Sequence, residues 1–342
     1  PKFLHDLTGS GSSLLKDTWD RLAPLAGEQR VMVVTGRAHR AAVEEQLPEL
    51  ADLNVVLESE PRDSSAAIGL AAAILEKREP GVIIGSFAAD HVIKGTRFFN
   101  MAVAEAVEAA RAGFIATIGI VPTEPAIGFG YIHATEETEL EGAPSALKVD
   151  SFVEKPNAHT AEEYVESGDY LWNAGMFITK ASVLLEELAK TQPELHAGVV
   201  ALAEVWDDHA KRGPAVDKIW PTLKKIAIDY AVAEPAAAAG KLVVIPGEFD
   251  WDDVGDFASI AKLHSSGYKK DLAILGEGAR VLSDASSGIL ITDTGRTIAL
   301  VGVKDIVVVD TPDALLVTTT ANAQKVKSVV DALRISGRDD VL

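Results

Sequence analysis

Two hydrophobic periods alternate from the start of the chain to about residue 120. Short apolar, β-branched runs read as buried strands: RVMVVTG (30–36), NVVLES (54–59), GVIIGSF (81–87) and FIATIGIV (114–121). Between them, RAHRAAVEEQL, SSAAIGLAAAILEKR and RFFNMAVAEAVEAARAG place apolar residues at helical spacing. Buried strands separated by helices of this length predict βαβ units on a mainly parallel sheet, covered by helices on both faces.

The rhythm changes near residue 130. YIHAT, ALKVDSFVEKP and NAGMFITK read as longer strands of a mixed sheet, and helices follow at AEEYVESG, ASVLLEELAKTQ and ELHAGVVALAEVWDDHAK. EPAAAAG (234–240) reads as a helix end or connector, and KLVVIPGEF as a strand. Beyond about 263, ARVLSD, GILITD, TIALVG, DIVVVD and ALLVTT are short strands at nearly regular spacing, without a recurring fixed-length motif. They predict a small, partly β-helix-like domain, which the amphipathic helix NAQKVKSVVDALRIS closes. The expected division is therefore an α/β domain over 1–264 and a β-rich tail over 265–342, with the boundary in HSSGYKKD (264–271).

Composition narrows the function. The chain has 342 residues, a 47% hydrophobic fraction that supports a packed core, and a net charge of −19 that disfavours nucleic acid and anionic membrane surfaces. With no cysteine, disulfides, thiolate zinc sites and thiol catalysis are out, and a cytoplasmic setting is expected. The eight histidines form no metal-ligating pair at HExxH spacing. No apolar run is long enough for a membrane span, and the first residues do not read as a signal peptide. In so acidic a chain, a phosphate site has to be built locally from cations, backbone N–H groups or a metal.

Four stretches carry candidate chemistry. Asp90 follows the GVIIGSF strand, where open α/β sheets place their ligands; a helix cap or Asx turn is the plainer reading. In FVEKP, Glu154 and Lys155 stand at a strand end, either as a surface pair or as groups that turn into one pocket, where a lysine suits a phosphate. Asn173 and Gly175 interrupt the apolar LWNAGMFI, which reads as a β-bulge or as a place where a ligand comes close. Gly128 and Gly130 in AIGFGYI alone suggest a turn. In FDWDDVGD (249–256), four aspartates crowd one tryptophan and one glycine. Such neighbours repel, so the segment is either a solvated acidic turn or supplies a ligand to a hard divalent cation.

Taken together and in order, PKFL, RDSSAAIG, AADH, GFGYI, FVEKP, NAGMF, IDYAVAE and FDWDDVG resemble the sugar-1-phosphate nucleotidyltransferases. Within them the chain is most similar to the members that use GTP and mannose 1-phosphate. The match runs from residue 1 to about 256, and the strand-rich tail resembles the partly β-helical tail of the same family. The resemblance implies a Rossmann-like, GT-A-like fold with Mg2+ as cofactor, held by Asp90 and Asp253. It implies that Lys155 meets the sugar phosphate, that Glu154 and Asn173 bind sugar hydroxyls, and that Gly130 offers its backbone to the sugar. Arg62, Asp63 and Ser64 match a segment lining the nucleotide side, and Lys2 matches the lysine just beyond the family's Gly-rich loop. Asp250 and Asp252 are left as solvated or structural.

Two departures stand beside the match. The Gly-rich loop with its arginine, and the strand that carries it, are expected before PKFL and are not within residues 1–342. RDSSAAIG also replaces the more usual Thr-Ala-Pro after the Arg-Asn/Asp pair, a change that touches nucleobase selection. The implied reaction converts GTP and mannose 1-phosphate into GDP-mannose and pyrophosphate by in-line attack on the α-phosphorus, with positioning and charge neutralisation supplying catalysis. Another nucleotide and sugar 1-phosphate pair is one alternative. A non-catalytic regulatory subunit that binds nucleotide sugar is another, although such a protein is expected to lose the Asp90–Asp253 pair. An appended isomerase cupin would need a His/Glu cluster after the transferase, and only His264 lies near the start of the tail. A homodimer is expected, because exposed edge strands in the tail need cover.

Overall fold

The computed structural model describes residues 1–264, 272–276 and 278–338. Its strands are β1 (Val33–Gly36), β2 (Val55–Glu58), β3 (Ile83–Ser86), β4 (Val92–Lys94), β5 (Ile115–Ile120), β6 (Gly130–Glu137), β7 (Leu147–Glu154), β8 (Tyr170–Lys180), β9 (Leu242–Pro246) and β10 (Asp250–Asp252), followed by β11 (Leu272–Leu275), β12 (Arg280–Asp284), β13 (Gly288–Thr292), β14 (Thr297–Val301), β15 (Ile306–Asp310) and β16 (Leu315–Thr319). The helices are α1 (Leu14–Ala26), α2 (Arg40–Gln46), α3 (Asp63–Arg78), α4 (Thr96–Arg111), α5 (Ala158–Ser167), α6 (Ala181–Thr191), α7 (Pro193–Val205), α8 (His209–Ile219), α9 (Glu234–Ala238), α10 (Phe257–His264) and α11 (Val326–Ile335). EPAAAAG thus resolves as the short helix α9. The expected domain boundary at 264–271 falls largely on residues 265–271, which lie outside the described residues.

Compactness does not follow chain order. One unit gathers Pro1–Thr18, Ala89–Val92 and the described part of Asp252–Leu342; the other holds Trp19–Ala88 and Ile93–Trp251. The second unit is built on a six-stranded sheet of order β3-β8-β5-β9-β7-β6, with β1 and β2 as a separate parallel pair. Side-chain alternation on β9 shows how the layers form. Leu242 and Val244 face a core containing Leu70 and Ile74 of α3, Leu188 of α6 and Val199 of α7. Val243 and Ile245 face the opposite core with Phe99, Val103 and Ala106 of α4. Period-two alternation thus supplies an apolar residue to each face, and helices cover both.

The sheet is mixed, as expected, but not mainly parallel. Among the described residues only β5–β9 pairs parallel within it, whereas β8 lies antiparallel to β3, β5 and β6, and β7 antiparallel to β6 and β9. The hydrophobic pattern reports that a strand is buried, not which way it runs, so the insertion of β8 between β3 and β5 left no trace in periodicity. The β5–β8 register also slips, with Thr117 opposite Phe177 but Gly119 opposite Asn173. Gly175 sits inside this bulge with a φ of 66°.

In the first unit, β11, β13 and β15 stack in parallel, as do β12 and β14, and β16 closes antiparallel on β15. Leu272 pairs with Gly288, Arg280 with Thr297 and Gly288 with Ile306, so successive coils take 16, 17 and 18 residues. These unequal turns are a β-helix whose period no fixed motif reveals. At Gly288 (φ 126°) a Cβ would lie 2.0 Å from the Ile306 carbonyl oxygen, so the coil closes only on glycine. The core of this unit joins Leu14 and Val92 to Val254, Ile260, Ile289 and Val307, so N-terminal and C-terminal segments share one interior.

Candidate active site

Asp252 to Asp256 of FDWDDVGD belong to the first unit, and the three residues before them to the second. Asp252 Oδ1 accepts the Val254 N–H at 2.7 Å, and Asp253 Oδ1 accepts that of Gly255 at 3.1 Å. Asp256 Oδ1 caps α10 by accepting the N–H groups of Ala258 and Ser259. Three of the four carboxylates are therefore held by backbone donors, while Asp250 is exposed. Between them Val254 is buried at a φ of 49°, a left-handed conformation that a β-branched residue adopts only when its surroundings impose it.

Lys2 ties this turn to Asp90. Its Nζ lies 3.0 Å from Asp90 Oδ2 and donates to the carbonyl oxygens of Asp253 at 2.7 Å and Val254 at 3.2 Å. Burial pushes the Asp253 carboxyl above its ordinary value; the Gly255 N–H and Lys2 oppose this, and the Asp252 and Asp90 charges add to it. Asp253 thus lies within electrostatic reach of the Asp90 carboxylate, with the Lys2 ammonium beside both, and carboxylate oxygens are the donors a hard cation takes. Among the described residues no group of three or more acidic or histidine side chains could enclose a metal. A pair of carboxylates is a donor set of the kind that Mg2+ commonly takes, with substrate phosphates completing its shell.

The second unit assembles the other predicted residues. Gly130 and Glu154 face each other in the β6–β7 register, and a Cβ on Gly130 would come within 2.5 Å of Glu154 Oε2. Glycine here leaves the room that carboxylate occupies. Glu154 is nearly buried, and its Oε1 accepts from Lys155 Nζ at 2.6 Å. Lys155 ends β7 at a φ of 49°, its N–H donating to the Phe129 carbonyl at 3.2 Å. This left-handed step turns the lysine to the side of the neighbouring glutamate, which a continuing strand would not do. The hydrogen bond to Glu154 raises the Lys155 pKa and keeps the ammonium charged.

Asn173, at the β8 bulge, is buried; its Oδ1 accepts from Thr117 Oγ1 at 3.0 Å and from the Gly175 N–H at 3.1 Å. Its Nδ2 donates to Asp229 Oδ1 at 2.9 Å. Asp229 was not among the sequence candidates. It opens a π-helical turn, Asp229–Ala233, a distortion frequent at functional sites. Burial first, then the Glu154 charge, pushes its carboxyl up to about 6, against the pull of Lys155 and Asn173. Its signal in the sequence was one carboxylate inside the apolar run IAIDYAVA, which needs a partner or a proton.

Arg62, Asp63 and Ser64 lead into α3. The Arg62 guanidinium bonds Glu60 and the Pro221 carbonyl, and Asp63 (φ 64°) accepts the Ser64 N–H at 2.9 Å. The Ser64 hydroxyl accepts the Ile228 N–H at 2.8 Å, and the Ser65 N–H reaches the Ile226 carbonyl at 3.2 Å. Ser64 therefore braces the backbone next to Asp229. The predicted residues thus fall into two clusters: Lys2, Asp90 and Asp253 in one unit, and Gly130, Glu154, Lys155 and Asn173 in the other, with Arg62–Ser64 tied to the segment before Asp229.

Residues 3–269 match the nucleotidyl transferase family, and residues 278–333 match the MannoseP isomerase/GMP-like beta-helix domain. A putative mannose-1-phosphate guanylyltransferase of Vibrio cholerae is 34% identical over 98% of this chain and 70% of its own length. The mannose-1-phosphate guanylyltransferase of Escherichia coli K12 is 34% identical over 96% of this chain and 68% of its own length. Among solved structures, one titled mannose-1-phosphate geranyltransferase, from Thermus thermophilus, superposes with a TM-score of 0.82 at 28% identity, covering 95% of this chain and 90% of that one. No helix among the described residues is long and apolar enough to cross a membrane. With its Rossmann-like α/β fold followed by a β-helix, the chain belongs to the nucleotidyl transferase family and is a nucleotidyltransferase.

Proposed function

We propose that the chain transfers a guanylyl group from GTP to mannose 1-phosphate, giving GDP-mannose and pyrophosphate. The observation that carries this reading is the near-full-length identity to curated relatives of that name; the two residue clusters supply chemistry that fits it. A phosphate oxygen of mannose 1-phosphate forms a bond to the α-phosphorus of GTP while the bond to the bridging oxygen breaks, and the electron pair leaves with pyrophosphate. No protein nucleophile is required.

Lys155 holds the attacking phosphate, and its ion pair with Glu154 orients the ammonium before substrate arrives. Glu154 and Asn173 take the sugar hydroxyls, Asp229 orients Asn173, and the Gly130 backbone lies against the sugar. Arg62, Asp63 and Ser64 line the nucleotide side. Asp90 and Asp253 are the proposed Mg2+ ligands, and Lys2 fixes the turn that presents Asp253. When bound, the ion supplies charge neutralisation at the phosphates. The observation favouring a homodimer is the edge strand β16, which exposes Leu315 and Val317 on one face. We place the enzyme in the cytoplasm on its cysteine-free sequence.

The test is turnover of the full-length protein, with Mg2+, on mannose 1-phosphate and glucose 1-phosphate, each against GTP, ATP, UTP and dTTP. Selective turnover of GTP with mannose 1-phosphate is expected. Preference for another pair moves the protein elsewhere in the family, and no turnover with any pair favours a regulatory subunit.

A further inference from the structure

The segment that leads into β6 is thinly anchored. From Val121 to Gly128 most residues are exposed, and a Cβ on Gly128 would meet nothing within 4 Å. The Tyr131 hydroxyl donates to the Ala126 carbonyl at 2.9 Å, but Gly128, with the backbone freedom of its type, separates that tether from Phe129. Gly130, on the other side, has no side chain to offer, because Glu154 fills the space where one would stand. Within Gly128–Gly130, the Phe129 ring is therefore the one side chain that can fix the backbone.

Two tryptophans of the same unit meet that ring. Its centroid lies 5.0 Å from that of Trp172, at 66° between the planes, and 5.1 Å from that of Trp251, at 62°. Both are edge-to-face contacts, the arrangement aromatic quadrupoles favour. Trp172 is itself fixed, being buried on β8 and paired with Ile120 of β5 and Tyr131 of β6. The carbonyl of Phe129 accepts the Lys155 N–H at 3.2 Å. The β6–β7 register ends with Gly130 opposite Glu154, so Gly130 is held by the ladder, whereas Lys155 lies one residue past it. Lys155 stands there at a φ of 49°, a conformation a lysine keeps only under constraint. Where the Phe129 carbonyl sits thus decides where the chain turns and where the ammonium arrives beside Glu154.

We propose that Phe129 is a positioning residue for the sugar phosphate: set edge-on against Trp172 and Trp251, its ring holds the carbonyl that keeps Lys155 in its turn. The proposal rests on the function read above, in which Lys155 meets the phosphate of mannose 1-phosphate. Phe129 is assigned no contact with the reacting atoms and acts through Lys155. Its loss therefore weakens use of the sugar phosphate and leaves use of GTP alone.

The test uses the full-length protein and two readouts. The first needs no substrate: amide hydrogen exchange in protein labelled with 15N-lysine, the Lys155 resonance being assigned by its loss in Lys155→Met. Lys241, whose N–H donates to the Ala236 carbonyl at 2.8 Å in the same unit, serves as the control and is assigned through Lys241→Arg. Phe129→Ala is expected to speed exchange at Lys155 at least about tenfold and to leave Lys241 unchanged. The second readout is a double-mutant cycle in turnover. Phe129→Ala is expected to lower kcat/KM for mannose 1-phosphate at least about tenfold, with the KM for GTP within about twofold of wild type. In the Lys155→Met background the same substitution is expected to change kcat/KM by less than about twofold, since the residue it acts through is gone. Unchanged exchange at Lys155, equal acceleration at Lys241, an undiminished kcat/KM, or a full tenfold loss persisting in Lys155→Met would each overturn the proposal. Absence of wild-type turnover would instead reject the function above, and the hold on Lys155 then stands or falls by the exchange result. If Phe129→Ala does not fold, Phe129→Leu carries the same comparison: it keeps most of the apolar volume and loses the ring contacts, so changes of less than about threefold in both readouts reject the role.

Discussion

Asp229→Asn is the substitution from which the structure draws the most. The wild-type carboxyl is half-buried beside Glu154, and its pKa rises from 3.8 to about 6. That gap corresponds to about 3 kcal/mol against the ionised form, a ceiling that residual solvent contact reduces to roughly 1–3 kcal/mol. The sign follows from proton counting. Between pH 3.8 and about 6 the folded protein keeps a proton that the unfolded chain has released, so stability falls as pH rises through this window. Above it the penalty is fully present. Asparagine cannot ionise, and its side-chain oxygen still accepts from Asn173 Nδ2. Urea unfolding followed by tryptophan fluorescence should therefore find Asp229→Asn more stable than wild type by about 1–3 kcal/mol at pH 7.5 and without advantage near pH 4. Its KM for mannose 1-phosphate should rise, because the charged acceptor that orients Asn173 is gone. Equal stability at pH 7.5, or an advantage that persists at pH 4, would refute the reasoning.

Asp253→Ala should lose most of the turnover, and raising Mg2+ should not restore it; wild-type turnover in that variant removes Asp253 from the mechanism. Chelation by EDTA should stop pyrophosphate release and excess Mg2+ restore it, read in the same coupled assay. Lys155→Met should raise KM for mannose 1-phosphate far more than KM for GTP, which steady-state kinetics with each substrate varied will show. Gly288→Ala forces a Cβ to within 2.0 Å of the Ile306 carbonyl, so thermal melting should show a loss of more than about 3 kcal/mol.

Much of this structure could be read from spacing alone. The strands around RVMVVTG and GVIIGSF, the helix at RFFNMAVAEAVEAARAG and the β-helical tail all follow from hydrophobic period, which burial imposes directly. Strand direction is a different matter: LWNAGMFI looks the same whichever way β8 runs, so its antiparallel insertion was hidden. The shared core of Leu14, Val92 and Val254 was hidden too, because contacts between distant segments leave no local period. At the candidate site, Asp90 and Lys155 stood out because a carboxylate and a lysine at strand ends invite chemistry, and FDWDDVGD because its charges crowd; only the family resemblance singled out Asp253 within it. The backbone that aims them did not stand out, since the left-handed steps at Lys155 and Val254 fall on residues that rarely adopt them. Asp229 lay within IDYAVAE without being singled out, because a carboxylate in an apolar run does not reveal its partner. Its part-buried bond to Asn173 exists only once the π-helical turn and the β8 bulge come together.

The central claim is tested most directly by pyrophosphate release from the full-length protein with Mg2+, comparing mannose 1-phosphate plus GTP with every other pairing of the two sugar phosphates and four nucleotides. The account predicts strong selectivity for GTP with mannose 1-phosphate, and its loss in Lys155→Met and Asp253→Ala. Equal or better turnover of another pair, or undiminished turnover in both variants, would contradict it.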